Sequence, residues 1–192
     1  TVPDLPSANH PQVRVIRHAM MGLSDWRYLV MTEFARGEWV AFIEEHCTIN
    51  PEWAEGVFFT ADAHPQVAII TPEVTVANFD GFWNNYTTRT GLINWLHPMK
   101  EGVRTDFFIN NCAFLRHVML ELGESFHTLS VLDHKLATYL NEHGYEVYGQ
   151  PACKIIHENE KNAYDCLQSA IWWRWSFTVF RSQSWQWWVK LV

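Results

Sequence analysis

Hydrophobic positions along the chain fall into short apolar runs separated by stretches with helical spacing. Trp39 to Ile43 is apolar without polar alternation, and Val67 to Thr71 is a second such run. Runs of this kind suit strands buried on both faces, as in a parallel sheet covered by helices. Between them, Asn50 is a good N-cap and Pro51 a good first helical residue. Glu52 and Glu55 place negative charge near the positive end of a helix running to about His64. Upstream, Val13 to Ile16 suggests a short strand. Ser24 then caps a helix with apolar positions Trp26, Leu29, Val30 and Phe34 and a stop at Gly37. Residues 76–103 are rich in Asn, Thr and Gly and read as a long functional loop or small insertion. Val103 to Ile109 is a third expected strand. Helices follow at Ala113 to Leu122, closed by Gly123, and at Leu132 to His143, closed by Gly144. Short strands are expected at Tyr145 to Tyr148 and Lys154 to Ile156. The alternation predicts an α/β domain with a mainly parallel sheet flanked by helices.

Composition narrows the classes of function. A net charge of −7 over 192 residues argues against a nucleic-acid binder, which carries a basic balance or stripe. A nucleotide ligand stays open, since a metal or a few local cations can hold a diphosphate. Cys47, Cys112, Cys153 and Cys166 are scattered, with no CxxC, and read as reduced residues in or near the core. No apolar run approaches the ~18 residues of a membrane span, and a cytoplasmic location, peripheral to the membrane if the C-terminal segment binds one, is expected. The chain starts at Thr1 and stops at Val192 inside an aromatic segment, and is read as a piece of a longer protein.

The candidate chemistry follows the first long apolar run. In open α/β sheets, ligands bind outside the carboxyl ends of strands, and Glu44, Glu45 and His46 lie there. Two carboxylates and an imidazole offer oxygen and nitrogen ligands to Mg²⁺ or Mn²⁺. Alone, such a triplet is more often a solvated loop. Asp133 opens a helix whose dipole favours the ionised carboxylate. It is either a general base or an acid that only stabilises the helix start. His157 ends the last expected strand, as a metal ligand or as a structural residue. Asn110 and Asn111 precede a helix carrying Arg116. Asn pairs usually make local turns, but they also bind sugar hydroxyls. The order carries more than any single feature: strand into acids, helix, variable loop, Asn-Asn and helix, Asp on a helix ending at Gly, strand, His.

That order resembles glycosyltransferase family 2, whose members have the GT-A fold. "ARGEWVAFIEEHCTINPEW" is similar to the family stretch in which a Gly turn leads into a strand and the acidic DXD-type motif. "FFINNCAFLRHVMLELG" resembles the acceptor-side turn and helix. "VLDHKLATYLNEHGYEVYGQPACKIIHEN" resembles the segment carrying the catalytic base and the later His. The resemblance covers roughly residues 13–160 and lacks the N-terminal part of the family's domain. It implies a nucleotide-sugar donor, a glycan, lipid-linked or small-molecule acceptor, a divalent metal, and an inverting displacement. Glu45, His46 and His157, with Glu44 as a further candidate, would hold the metal and diphosphate. Asp133 would be the base, with Asn110, Asn111 and Arg116 on the donor and acceptor side.

Six of the eleven tryptophans lie between Trp172 and Trp188. As a helix, that segment would present Arg174, Thr178 and Arg181 on one face and aromatics around the rest. Such a pattern suits a membrane surface or packing against protein. The expected division is therefore a GT-A-like domain over 1–160 and an aromatic helical tail over 161–192. The rival reading is a catalytically inactive GT-A-like binding module that meets a membrane or partner through this tail. A metal-dependent hydrolase is a weaker option, since HExxH, GxSxG and phosphate-loop motifs are absent.

Overall fold

The computed structural model describes residues 11–17, 22–77, 81–130 and 133–158, together with 164, 167, 168 and 171. Among these residues, six strands and six helices are named. They are α1 (Leu23–Leu29), β1 (Trp39–Ala41), β2 (Cys47–Ile49), α2 (Trp53–Ala63), β3 (Val67–Val76), α3 (Phe82–Gly91), β4 (Gly102–Arg104), β5 (Ala113–Leu115), α4 (Arg116–Glu121), α5 (Ser125–Leu129), α6 (Asp133–Glu142) and β6 (Glu146–His157). A π-helical turn, Val30–Phe34, continues α1. One sheet runs in the order β1-β5-β3-β6-β2, with β4 also paired to β6.

The α/β class holds, but the sheet is mixed rather than mainly parallel. Among the described strands, only β3 and β6 pair in parallel; the other four pairings are antiparallel. The unbroken apolar run of β3 reports burial on both faces, and burial does not fix strand direction. β3 illustrates this. Ile69 and Ile70 point to opposite faces, and both are fully buried. Ile69 packs with Val118, Met119, Leu136 and Leu140 of α4 and α6. Ile70 packs with Trp53 and Val57 of α2 on the other side. Helices thus cover both faces. β5 enters antiparallel between β1 and β3, which leaves β1, β3 and β6 running in one direction.

Several boundaries differ from the sequence reading. β1 stops at Ala41, opposite Ala113 where its partner β5 begins, and as an edge strand it has only Val40 of its three residues buried. Residues 113–115 join the sheet before α4 begins, so the helix expected there starts three residues late. Val13 to Ile16 forms no strand; Val13 and Val15 are exposed. The expected loop at 76–103 contains α3, a Thr- and Asn-rich helix whose composition hides it. The two expected short strands at 145–156 are one strand with a bulge, since the register against β3 shifts after Pro72 and Gln150. Asn50 secures that bulge instead of capping α2. Its side chain donates to the Ala152 carbonyl and accepts from the Lys154 N–H. α2 crosses the bulge so closely that a Cβ on Gly56 would lie 2.8 Å from Cys153 Sγ. Gly123 and Gly144, at positive φ, end their helices as expected. The tail helix expected at Trp172 to Trp188 lies outside the described residues. No helix among the described residues is long and apolar enough to cross a membrane.

Candidate metal centre

The carboxyl ends of β1, β3 and β6 share one edge of the sheet, and the antiparallel strands β2 and β5 begin there. Five chain segments therefore converge. The turn after β1 brings Glu44, Glu45 and His46. β2 opens with Cys47, and β6 closes with His157. Asn110 and Asn111 sit just before β5. Cys47 is the cross-strand partner of His157, which places both side chains on one face. Backbone bonds fix the arrangement: Ala77 N–H donates to the His157 carbonyl, and Glu158 N–H to the His46 carbonyl.

Glu44 is the carboxylate that turns inward. Asn110 Nδ2 donates to its Oε1 at 2.6 Å, and Asn111 Nδ2 to its Oε2 at 2.6 Å. The Glu44 N–H donates to Asn111 Oδ1 at 3.0 Å. Behind Asn110 stands Arg27 of α1, only 4% exposed, which donates from Nη2 to Asn110 Oδ1. Burial alone would push the Glu44 carboxyl up. The His157 imidazole close by, the hydrogen bond from Asn111 and the fields of both imidazoles outweigh it and hold the group below its ordinary value. Arg27 is lowered to about 10 by burial, against the opposing pull of Cys112 and Glu44.

Facing Glu44 are two imidazoles whose Nε2 atoms lie 3.1 Å apart. Glu44 Oε2 is 3.7 Å from His46 Nε2 and 3.6 Å from His157 Nε2. These three edges make a triangle whose centre lies about 2 Å from every corner, the bond length of a zinc- or magnesium-sized ion to nitrogen and oxygen. Two imidazole lone pairs cannot face one another at this distance without a proton or a cation between them. His157 is buried, and its Nδ1 finds no hydrogen-bond partner among the described residues; its polar contacts are on the Nε2 side. Cys47 joins as a fourth donor: one ligand atom from each of Glu44, His46, Cys47 and His157 lies within 4.8 Å of the others. The residues present fit a divalent ion.

The other candidates fall elsewhere. The Glu45 side chain is 93% exposed, with its carboxylate 3.7 Å from His46 Nδ1 on the solvent side. Asn110 and Asn111 spend side-chain donors on Glu44. Arg116 donates from Nε to the Met31 carbonyl at 2.7 Å, tying α4 to the π-helical turn. Asp133 stands at the start of α6 and accepts the His134 N–H at 2.7 Å. Burial raises its carboxyl, partly offset by that bond and by the His134 charge, while Asp106 adds to the rise. A raised carboxyl is a stronger proton acceptor once ionised. Two site residues escaped the sequence reading. Cys47, read from sequence as a reduced thiol in or near the core, lies at the centre, and its place directly after His46 is the signal that points to it. Arg27 lies on a helix whose spacing gave no sign that it turns inward.

No known sequence family matches the chain, and no curated protein matches it by sequence. Among solved structures, the fold is similar to the crystal structure of GalNAc-T7 with UDP, GalNAc and Mn²⁺. The TM-score is 0.55 at 14% identity, over 72% of this chain and 30% of that one. The chain thus spans less than a third of that protein's length. The likeness establishes a glycosyltransferase-like, GT-A-like fold.

Proposed function

We propose that this chain is the metal-binding and acceptor-side portion of a family 2-like, inverting glycosyltransferase, acting on a nucleotide-sugar donor and an acceptor hydroxyl. The observation that carries this reading is the triangle of Glu44, His46 and His157 at the carboxyl ends of three co-directional strands. The likeness to a transferase structure holding UDP and Mn²⁺ supports it. Glu44, His46 and His157 would hold Mn²⁺ or Mg²⁺, which when bound neutralises the diphosphate leaving group. Asn110 and Asn111 keep the Glu44 carboxylate aimed at that position, and Arg27 braces Asn110. Asp133 accepts the proton of the acceptor hydroxyl as its oxygen bonds to the anomeric carbon and the sugar–phosphate bond breaks. Attack from the face opposite the leaving group inverts the anomeric centre. The division into a domain over 1–160 and a tail over 161–192 belongs to the same proposal.

The test is calorimetric titration of the purified chain with UDP and GDP, with and without Mn²⁺. Metal-dependent binding that is lost in His157→Ala supports the reading. Metal-independent binding, or binding that His157→Ala leaves intact, overturns the assignment of the centre. The rival reading, a GT-A-like binding module without turnover, draws on the exposure of Glu45, which leaves one inward carboxylate at the motif. It requires nucleotide binding without sugar transfer.

A further inference from the structure

Cys47 is the feature of the centre that the transferase reading does not use. It opens β2 directly opposite His157, so its side chain shares the face from which that imidazole reaches Glu44 and His46. Its Sγ is 4.0 Å from Glu44 Oε2, and it forms no disulfide. A site with two imidazoles and one carboxylate suits several divalent ions, whereas a sulfur donor selects thiophilic ones, zinc and cobalt over manganese and magnesium. Ligand count matters as well. Three protein ligands leave a coordination position for a water or substrate oxygen, while four close a tetrahedral site.

We propose that Cys47 is a fourth ligand of this centre, so that Zn²⁺ is held by Glu44, His46, Cys47 and His157 with no position left for a diphosphate. The inference rests on the metal centre described above and adds a second state to it. Manganese or magnesium on oxygen and nitrogen ligands gives an open, donor-binding form. Zinc on the sulfur as well gives a closed form. On zinc binding, the thiol proton leaves to solvent as the sulfur–metal bond forms. Zinc then antagonises donor binding instead of supporting it.

The experiment uses Co²⁺ as a spectroscopic stand-in for Zn²⁺, on the full chain and on Cys47→Ser. A sulfur ligand gives Co²⁺ a thiolate-to-metal charge-transfer band in the near ultraviolet, and tetrahedral geometry gives intense visible bands. Both are expected in the parent chain. The charge-transfer band should vanish in Cys47→Ser. Zn²⁺ affinity, measured by competition with a chromophoric chelator, should fall alongside it. Loss of a group that merely orients a metal ligand already costs about 10–100-fold in affinity, so loss of a direct ligand should cost at least about tenfold. Mn²⁺ affinity should stay nearly unchanged.

Co²⁺ binding to the parent chain without the charge-transfer band would overturn the proposal and leave the oxygen–nitrogen centre standing. A band that persists in Cys47→Ser would assign the sulfur to another cysteine and overturn it equally. Failure of Co²⁺, Zn²⁺ and Mn²⁺ alike to bind would overturn both this inference and the metal centre beneath it. A parent spectrum without the band refutes the proposal even if the serine variant folds poorly, and Cys47→Ala then repeats the comparison that assigns the sulfur.

Discussion

Asn111→Ala tests the support of the centre without touching any atom proposed to bind metal. Asn111 is fully buried and grips Glu44 twice, through its amide donor on Oε2 and its carbonyl on the Glu44 N–H. A hydrogen bond to an ionised group contributes about 1.5–3 kcal/mol and a neutral one about 1 kcal/mol. Removing both therefore costs about 2.5–4 kcal/mol. A chain of this size loses about 2–4 °C of Tm per kcal/mol, so a fall of roughly 5–16 °C is expected by differential scanning calorimetry. The Glu44 carboxylate also loses one of the donors that hold it below its ordinary pKa. Its orientation loosens, and metal affinity should fall about 10–100-fold, as for other partners that orient metal ligands. A Tm within about 1 °C of the parent, together with unchanged Mn²⁺ affinity, would refute the claim that Asn111 organises the site.

Three further outcomes follow from the same geometry. If the proposed transferase reading holds, Asp133→Asn should abolish sugar transfer while donor binding, followed by calorimetry, persists; surviving turnover would remove Asp133 from the base role. The same substitution should raise Tm at neutral pH. Burial lifts the native Asp133 carboxyl above its unfolded value, so the folded state binds more protons between the two values and stability falls as pH rises through that window. The stabilisation of the Asn variant should vanish below it, as melts across a pH series will record. Glu45→Ala should change stability by less than about 0.5 kcal/mol, as at other exposed positions, and leave Mn²⁺ affinity intact, while His157→Ala abolishes Mn²⁺ binding; equal losses in the two variants would place Glu45 in the centre.

The general location of the site was legible because it depends on chain order. An apolar strand running into acids, an Asn-Asn turn before a small apolar segment, and a His closing a strand all occur at ends that the topology gathers at one sheet edge. The identity of the inward carboxylate was not legible. β1 ends at Ala41, and Phe42 to His46 follow a turn whose side-chain directions depend on Asn111 and on β2, more than a hundred residues from β2's partner at Ile155 to His157. Strand direction was equally hidden. Ile69 and Ile70 would be buried alike against a parallel or an antiparallel neighbour. Arg27 shows a third limit. An Arg within an amphipathic helix is read as solvated, and only the packing of α1 against the segment before β5 brings its guanidinium to Asn110.

The central claim is that Glu44, His46 and His157 converge on one divalent ion. Crystals of the chain grown with Mn²⁺, measured at the manganese absorption edge, test it most directly. One anomalous peak is expected within bonding distance of Glu44 Oε2, His46 Nε2 and His157 Nε2, with Glu45 turned to solvent. A peak held by Glu45 without Glu44, or no peak at this sheet edge in manganese-saturated crystals, would contradict it.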